Sequence, residues 1–150
     1  MSAFHPDLVL KHSDGTPIAI VEVKSWQDLT EDVAMEMKRN MVEDGLPIKI
    51  PYFLLLSQDF GYLWSEDKLS DPNAPPSYEF PMDNVVKRYI KKEDWRRRLY
   101  KSELELLILQ WLINLSKKPQ MMTEEPEKTL DRAGFNALIK NNIVLIEETI

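Results

Sequence analysis

Two apolar stretches joined by an Asp-Gly turn constrain this chain more than anything else in it. Residues 7–11 (DLVLK) and 18–24 (IAIVEVK) both read as strands, and Ser13, Asp14, Gly15 and Thr16 lie between them. Asp-Gly is the strongest short signal for a type I′ hairpin. With Asp14 and Gly15 as the loop, facing partners have numbers summing to 29, so Val9 meets Ile20 and Asp7 meets Glu22. Opposed side chains on such a pair lie roughly 4.5–5.5 Å apart at Cβ, where like charges repel. Two acids so placed call for a cation or a shared proton.

Lys24 stands two residues beyond Glu22, hence on the same strand face. Ile18 and Ile20 share that face, while Ala19, Val21 and Val23 fill the other. A strand apolar on both faces belongs in the middle of a sheet, so charges at its end are expected to line a cleft. In the plainer alternative Asp7 caps a strand start and Glu22 pairs with Lys24 or Lys11 on a solvated face, which contributes little. In the same register His5 faces Lys24.

Downstream, Asp28 with Glu31 three residues later forms a capping-box pattern. Leu29, Val33, Met37 and Met41 then make one helical stripe, which Gly45 and Pro47 end. Glu36 and Lys38 fall on its solvated face. Tyr52 to Leu56 reads as a strand buried on both sides, Asp59 to Gly61 as a turn, and Tyr62 to Trp64 as another strand.

The pattern Pro6-Asp7, fourteen residues, then Glu22-Val23-Lys24 resembles the PD-(D/E)XK signature of the restriction-endonuclease-like nucleases. The likeness covers roughly residues 5 to 65 and includes the helix and strand that follow the motif. It implies an α/β fold: a restriction-endonuclease-like mixed sheet flanked by helices. It also implies a Mg²⁺ or Mn²⁺ site formed by Asp7, Glu22 and the Val23 carbonyl, with Lys24 orienting or activating water for phosphodiester hydrolysis. Gln27 is a weaker candidate at the cleft, and Trp26 is expected in the core rather than stacking on bases. The family core ordinarily has a helix and a strand before the Asp. Only Met1 to His5 precede Pro6 here, so the expectation is a shortened member, or one in which a partner or a later segment supplies those pieces.

Composition narrows the chemistry. At 150 residues, 43% hydrophobic and 29% charged, the chain suits one globular domain, with a nuclease-like core over 1–65 and a mainly helical extension over 82–150. There is no Cys and there are only two His, so thiolate and His-rich zinc sites are excluded and an oxygen-ligated hard cation remains. The start lacks a secretory pattern and no stretch is apolar enough to span a membrane, which points to the cytoplasm. A net charge of −6 hides a strong asymmetry. Between Lys87 and Lys101 stand eight basic residues (Lys87, Arg88, Lys91, Lys92, Arg96, Arg97, Arg98, Lys101) and two acids, a local +6 against −12 elsewhere. Local field decides where a phosphate backbone docks, so this run is the DNA-binding candidate, or else a solvated helix face.

Proline at 72, 75, 76 and 81 marks residues 65–81 as a loop, followed by a short helix over 82–92. A long helix is expected from Glu93 or Asp94 to Leu115, basic first and then apolar on nearly every side. Such a helix is either buried all round or joins another chain, so a homodimer through Leu104 to Leu115 is expected. After a polar linker over 119–126 come a helix over Leu130 to Lys140 and a last strand over Ile143 to Ile146.

Overall fold

The computed structural model describes residues 4–25, 29–117, 123–140 and 143–147. Its elements run β1 (Leu8–His12), β2 (Pro17–Val23), α1 (Glu31–Glu43), β3 (Tyr52–Leu56), β4 (Phe60–Ser65), α2 (Glu66–Leu69), β5 (Tyr78–Pro81), α3 (Asp83–Tyr89), a 3₁₀ turn (Lys92–Asp94), α4 (Lys101–Lys117), α5 (Glu127–Arg132), α6 (Phe135–Ile139) and β6 (Ile143–Glu147). Among the described residues the strands form one mixed sheet in the order β5-β4-β3-β2-β1-β6. Only β2 and β3 pair in parallel, bridged by α1; the other neighbours are antiparallel. The α/β expectation holds at this level.

Each sheet face is buried by helices. On one face Leu8, Leu10, Val21, Val23, Leu54 and Leu56 pack with Leu104, Ile108, Trp111 and Leu112 of α4 and Leu130, Phe135 and Ile139 of α5 and α6. On the other, Val9, Ile20, Phe53, Leu55 and Trp64 pack with Leu29, Ala34 and the partly buried Val33, Met37 and Met41 of the α1 segment. The alternation of β3 between these clusters is the doubly buried strand expected from its apolar run. A full burial of each such Leu or Phe side chain contributes about 1.5–3 kcal/mol.

The hairpin reaches the expected register by another route. The turn has three loop residues, not two: Gly15 N–H donates to His12 O and His12 N–H to Thr16 O, both at 2.9 Å, with Gly15 at φ 91°. A glycine in the left-handed region thus closes the three-residue loop, and the Asp14 carboxylate accepts from Thr16 N–H at 2.9 Å. It pairs Lys11 with Pro17, one step short of the expected register. A bulge at Ile18 restores the step, so that Leu10 meets Ala19, Val9 meets Ile20 and Leu8 meets Val21. The bulge also corrects the face assignment. Ile18 is fully buried beside Ala19 in the α4 cluster rather than beside Ile20, because two residues of a bulged strand oppose one partner.

Elsewhere the differences have local causes. Helix α1 is capped by Thr30, whose Oγ1 accepts from Val33 N–H at 3.3 Å; the expected cap Asp28 lies outside the described residues. Its end is a Schellman motif, with Leu46 N–H donating to Met41 O at 2.8 Å and Gly45 at φ 117°. The proline-rich segment contains α2 and the edge strand β5, which ends on Pro81 where a donor is dispensable. The long basic-then-apolar helix begins only at Lys101, since residues 90–100 form the 3₁₀ turn and irregular chain. It is not apolar all round. Leu104, Leu107, Ile108, Trp111, Leu112 and Leu115 are buried, Leu109 and Ile113 are half-buried, and Leu106 is 65% exposed. The buried face of the helix therefore finds its partner in the chain's own sheet. Gly134, at φ 81°, divides the expected single helix over 130–140 into α5 and α6. Strand β6 pairs with β1 from Leu8 to His12, so a later segment covers the edge that would otherwise be open.

Candidate functional site

The site grows from the point where the β1–β2 ladder stops. One step past the Leu8–Val21 pair, Asp7 comes opposite Glu22. A further step would bring Pro6 to Val23, and Pro6 has no N–H to give the Val23 carbonyl. The ladder ends and side chains take over. Asp7 N–H donates to Glu22 Oε2 at 2.7 Å, and Val23 N–H donates to Asp7 Oδ2 at 2.8 Å. The two acids are thus locked by reciprocal bonds to each other's strand, as the register requires.

Glu22 is 4% exposed. Burial, and then the charge of Asp7, push its carboxyl up from 4.5 to about 7, although the Asp7 N–H, Lys24 and Lys101 act in the opposite sense. Lys24, half-buried, follows the end of β2, where its own N–H donates to Leu56 O at 2.8 Å. Its charge favours ionised Glu22, yet it makes no ion pair with either acid.

A second ammonium group reaches the pair. Lys101 opens α4, and its Nζ lies 3.1 Å from Asp7 Oδ1. Burial acts to lower the Lys101 pKa, but the hydrogen bond and charge of Asp7 outweigh it, with Glu105 and Glu22 adding to the net rise. The first turn of α4 and the start of β1 enclose a groove of about 660 Å³ lined by His5, Pro6, Asp7, Lys101, Ser102 and Leu106, among others. The bend at Asp7 leaves His5 exposed on this groove, outside the strand pairing expected to bring it opposite Lys24.

The donor set decides which metal would fit. No group of three or more acidic or histidine side chains able to hold a metal occurs among the described residues. Two carboxylates and a backbone carbonyl suit Mg²⁺, which keeps several waters and uses one or two carboxylates; they do not suit a closed zinc site. The strain on ionised Glu22 is the kind that a neighbouring cation relieves. By donor type, Asp7 and Glu22 would suit a hard, hydrated ion rather than zinc.

The other sequence candidates fare differently. Of the eight basic residues between Lys87 and Lys101, five are in ion pairs: Lys87 with Asp83, Arg88 with Glu124 and Glu127, Arg97 with Asp94 and Glu103, Arg98 with Asp59, and Lys101 with Asp7. Lys91, Lys92 and Arg96 are exposed and make no such pair among the described residues. The run is thus largely neutralised, and it is not a single helical face. Glu36 is exposed as expected, but Lys38 is fully buried. Its Nζ donates to Asp71 O at 2.6 Å and lies 5.9 Å from the Trp64 ring centroid, tying α1 to the segment after α2. Trp26 and Gln27 lie outside the described residues. The sequence signal that Lys101 belonged to the site was weak: it was one of eight basic residues, and only the fold shows which one meets Asp7.

The chain matches no protein-family model, no curated protein and no solved structure.

Proposed function

We propose that this chain is a divalent-cation-dependent hydrolase of nucleic-acid phosphodiester bonds, with DNA as its substrate. The observation that carries the reading is the Asp7–Glu22 pair, in which adjacent strands hold two carboxylates together although one is driven to a pKa of about 7 by burial and by the other. A buried acid with a raised pKa, bonded to a second acid that lines a groove, is an arrangement a catalytic site can use. Asp7, Glu22 and the Val23 carbonyl would hold Mg²⁺ or Mn²⁺. When bound, such an ion neutralises charge on a phosphate and acidifies coordinated water. Lys24, two residues beyond Glu22 and half-buried, would orient that water; an ammonium suits the task. Asp7 and Glu22 are fixed by backbone donors, so their geometry is set before substrate arrives. The resemblance to PD-(D/E)XK nucleases supports the same assignment.

A second reading has its own observation. Each carboxylate already accepts a backbone N–H, and five of the eight basic residues are paired within the chain. A nuclease-like fold that has lost cleavage and serves as a nucleic-acid-binding or assembly subunit would keep such a pair for structure alone.

Nicking of supercoiled DNA in Mg²⁺, beside Mn²⁺ calorimetry, tests both. Wild type is expected to nick. Asp7→Ala should lose metal and cutting together, and Lys24→Ala should lose cutting while still binding metal. Wild type that binds metal and DNA without cutting leaves the second reading. Wild type that binds no metal at millimolar concentration removes the enzyme.

A further inference from the structure

Lys101 is the feature of this site that the signature does not account for. It comes from a helix some eighty residues after the motif, on the sheet face opposite α1. Its ammonium group takes Asp7 Oδ1, the oxygen that the Val23 N–H leaves over. Any cation that draws on Asp7 for charge meets an ammonium already there. Two positive centres within a few ångströms of one carboxylate repel strongly, and the effect is only partly screened because the Asp7 side chain is 13% exposed.

We propose that Lys101 and the divalent cation compete for Asp7, and that the displaced Lys101 then binds substrate phosphate in the groove. The inference rests on the hydrolase reading above and deepens it. Lys101 is well placed to move. It is the first residue of its helix, its side chain is 46% exposed, and it lines the same groove as Ser102 and Leu106. Glu105, one turn later, also favours its charge, so the ammonium is not stranded when it leaves Asp7. Cation loading and nucleic-acid grip become linked through one side chain. Metal arrival would free a positive charge on the groove at the moment when a phosphate needs one.

The test uses the full chain, Lys101→Met and Lys101→Arg, with melting temperature as the control for folding. Two affinities are read: Mn²⁺ by calorimetry, and a short DNA duplex in Ca²⁺ by fluorescence anisotropy. Lys101→Met is expected to bind Mn²⁺ about tenfold more tightly, since a unit charge near the ion is gone, and to bind DNA several-fold more weakly. Lys101→Arg, whose guanidinium grips a carboxylate with two donors, should bind Mn²⁺ no more tightly than wild type. A purely structural Lys101 would weaken both affinities together, or neither. If wild type binds Mn²⁺ and Lys101→Met binds it no more tightly, competition is overturned while the hydrolase reading stands. If Lys101→Met gains metal affinity but keeps full DNA affinity, the phosphate role is overturned. If neither wild type nor Lys101→Met binds the metal, both readings fall.

Discussion

Replacing Glu22 with glutamine should make the protein more stable and remove its function, and the gain should depend on pH. Glutamine keeps an oxygen that can accept the Asp7 N–H, so the reciprocal lock between the strands survives. What disappears is a carboxyl whose folded value is raised from 4.5 to about 7 by burial and by Asp7. For a raised group the stability it contributes is fully present below the unfolded value and is lost as pH rises through the folded one. The window is therefore about 4.5 to 7. At about 1.4 kcal/mol for each tenfold step, ionising Glu22 costs about 3 kcal/mol once the pH passes that window. In a chain of this size a kcal/mol moves the melting temperature by about 2–4 °C. Glu22→Gln should therefore melt about 6–12 °C above wild type near pH 8, and level with it below about pH 4.5. Other carboxylates titrate in both proteins and cancel in the difference. Millimolar Mg²⁺ should narrow the gap by stabilising only wild type. A difference that stays constant with pH, or a variant that melts lower near pH 8, would refute the claim that Glu22 is held against its charge.

Other substitutions probe other parts of the structure. Gly61→Ala should destabilise by about 1–3 kcal/mol in urea titration, because a Cβ there would fall 2.2 Å from Phe80 and 2.7 Å from Leu56. Arg88→Ala should cost about 3 kcal/mol by the same assay, since Glu127 is 2% exposed and would keep only Trp111 Nε1, at 2.9 Å, as a side-chain donor. Lys24→Ala should lower the rate of DNA nicking by about 10²–10⁴-fold at unchanged metal affinity, the range for loss of a positioned proton-transfer group. Changing Lys91, Lys92 and Arg96 together to Ser should leave the melting temperature in place and flatten the salt dependence of DNA binding by up to about three on a log–log plot. An unchanged slope would move the DNA interface elsewhere.

The hairpin shows how much of the fold could be read from residues alone. Two apolar stretches read as strands, and the Asp-Gly pair reads as the turn between them. The turn's length was hidden, because Gly15 serves a two-residue and a three-residue loop equally well. The bulge at Ile18 was hidden too, because an apolar residue fits either face of a doubly buried strand. The two departures are each one residue and opposite in effect, so Asp7 still met Glu22. Helix α4 misled for a related reason. Basic residues next to an apolar run suit one continuous helix, but the Gln58 side chain donates to Arg97 O and accepts from Leu99 N–H, bonds that engage the backbone of residues 97–99 in irregular chain before it.

The site divides along the same line. Asp7, Glu22 and Lys24 are close in sequence once a hairpin is granted, so local reasoning reaches them. Lys101 is brought to Asp7 by α4 docking on the sheet, a packing event fixed by Leu104, Ile108, Trp111 and Leu112 rather than by anything near the motif. The buried Lys38 escaped for the opposite reason. Its position on α1 reads as solvent-facing until the segment after α2 folds over it and offers Asp71 O. In both cases the lysine's charge was plain and its partner was distant. A chain that commits a remote ammonium to one of its two acids has tied the chemistry of its first strands to the docking of a helix in its second half. Loosening α4, as Trp111→Ala would, should therefore alter cation affinity at Asp7 without touching a ligand.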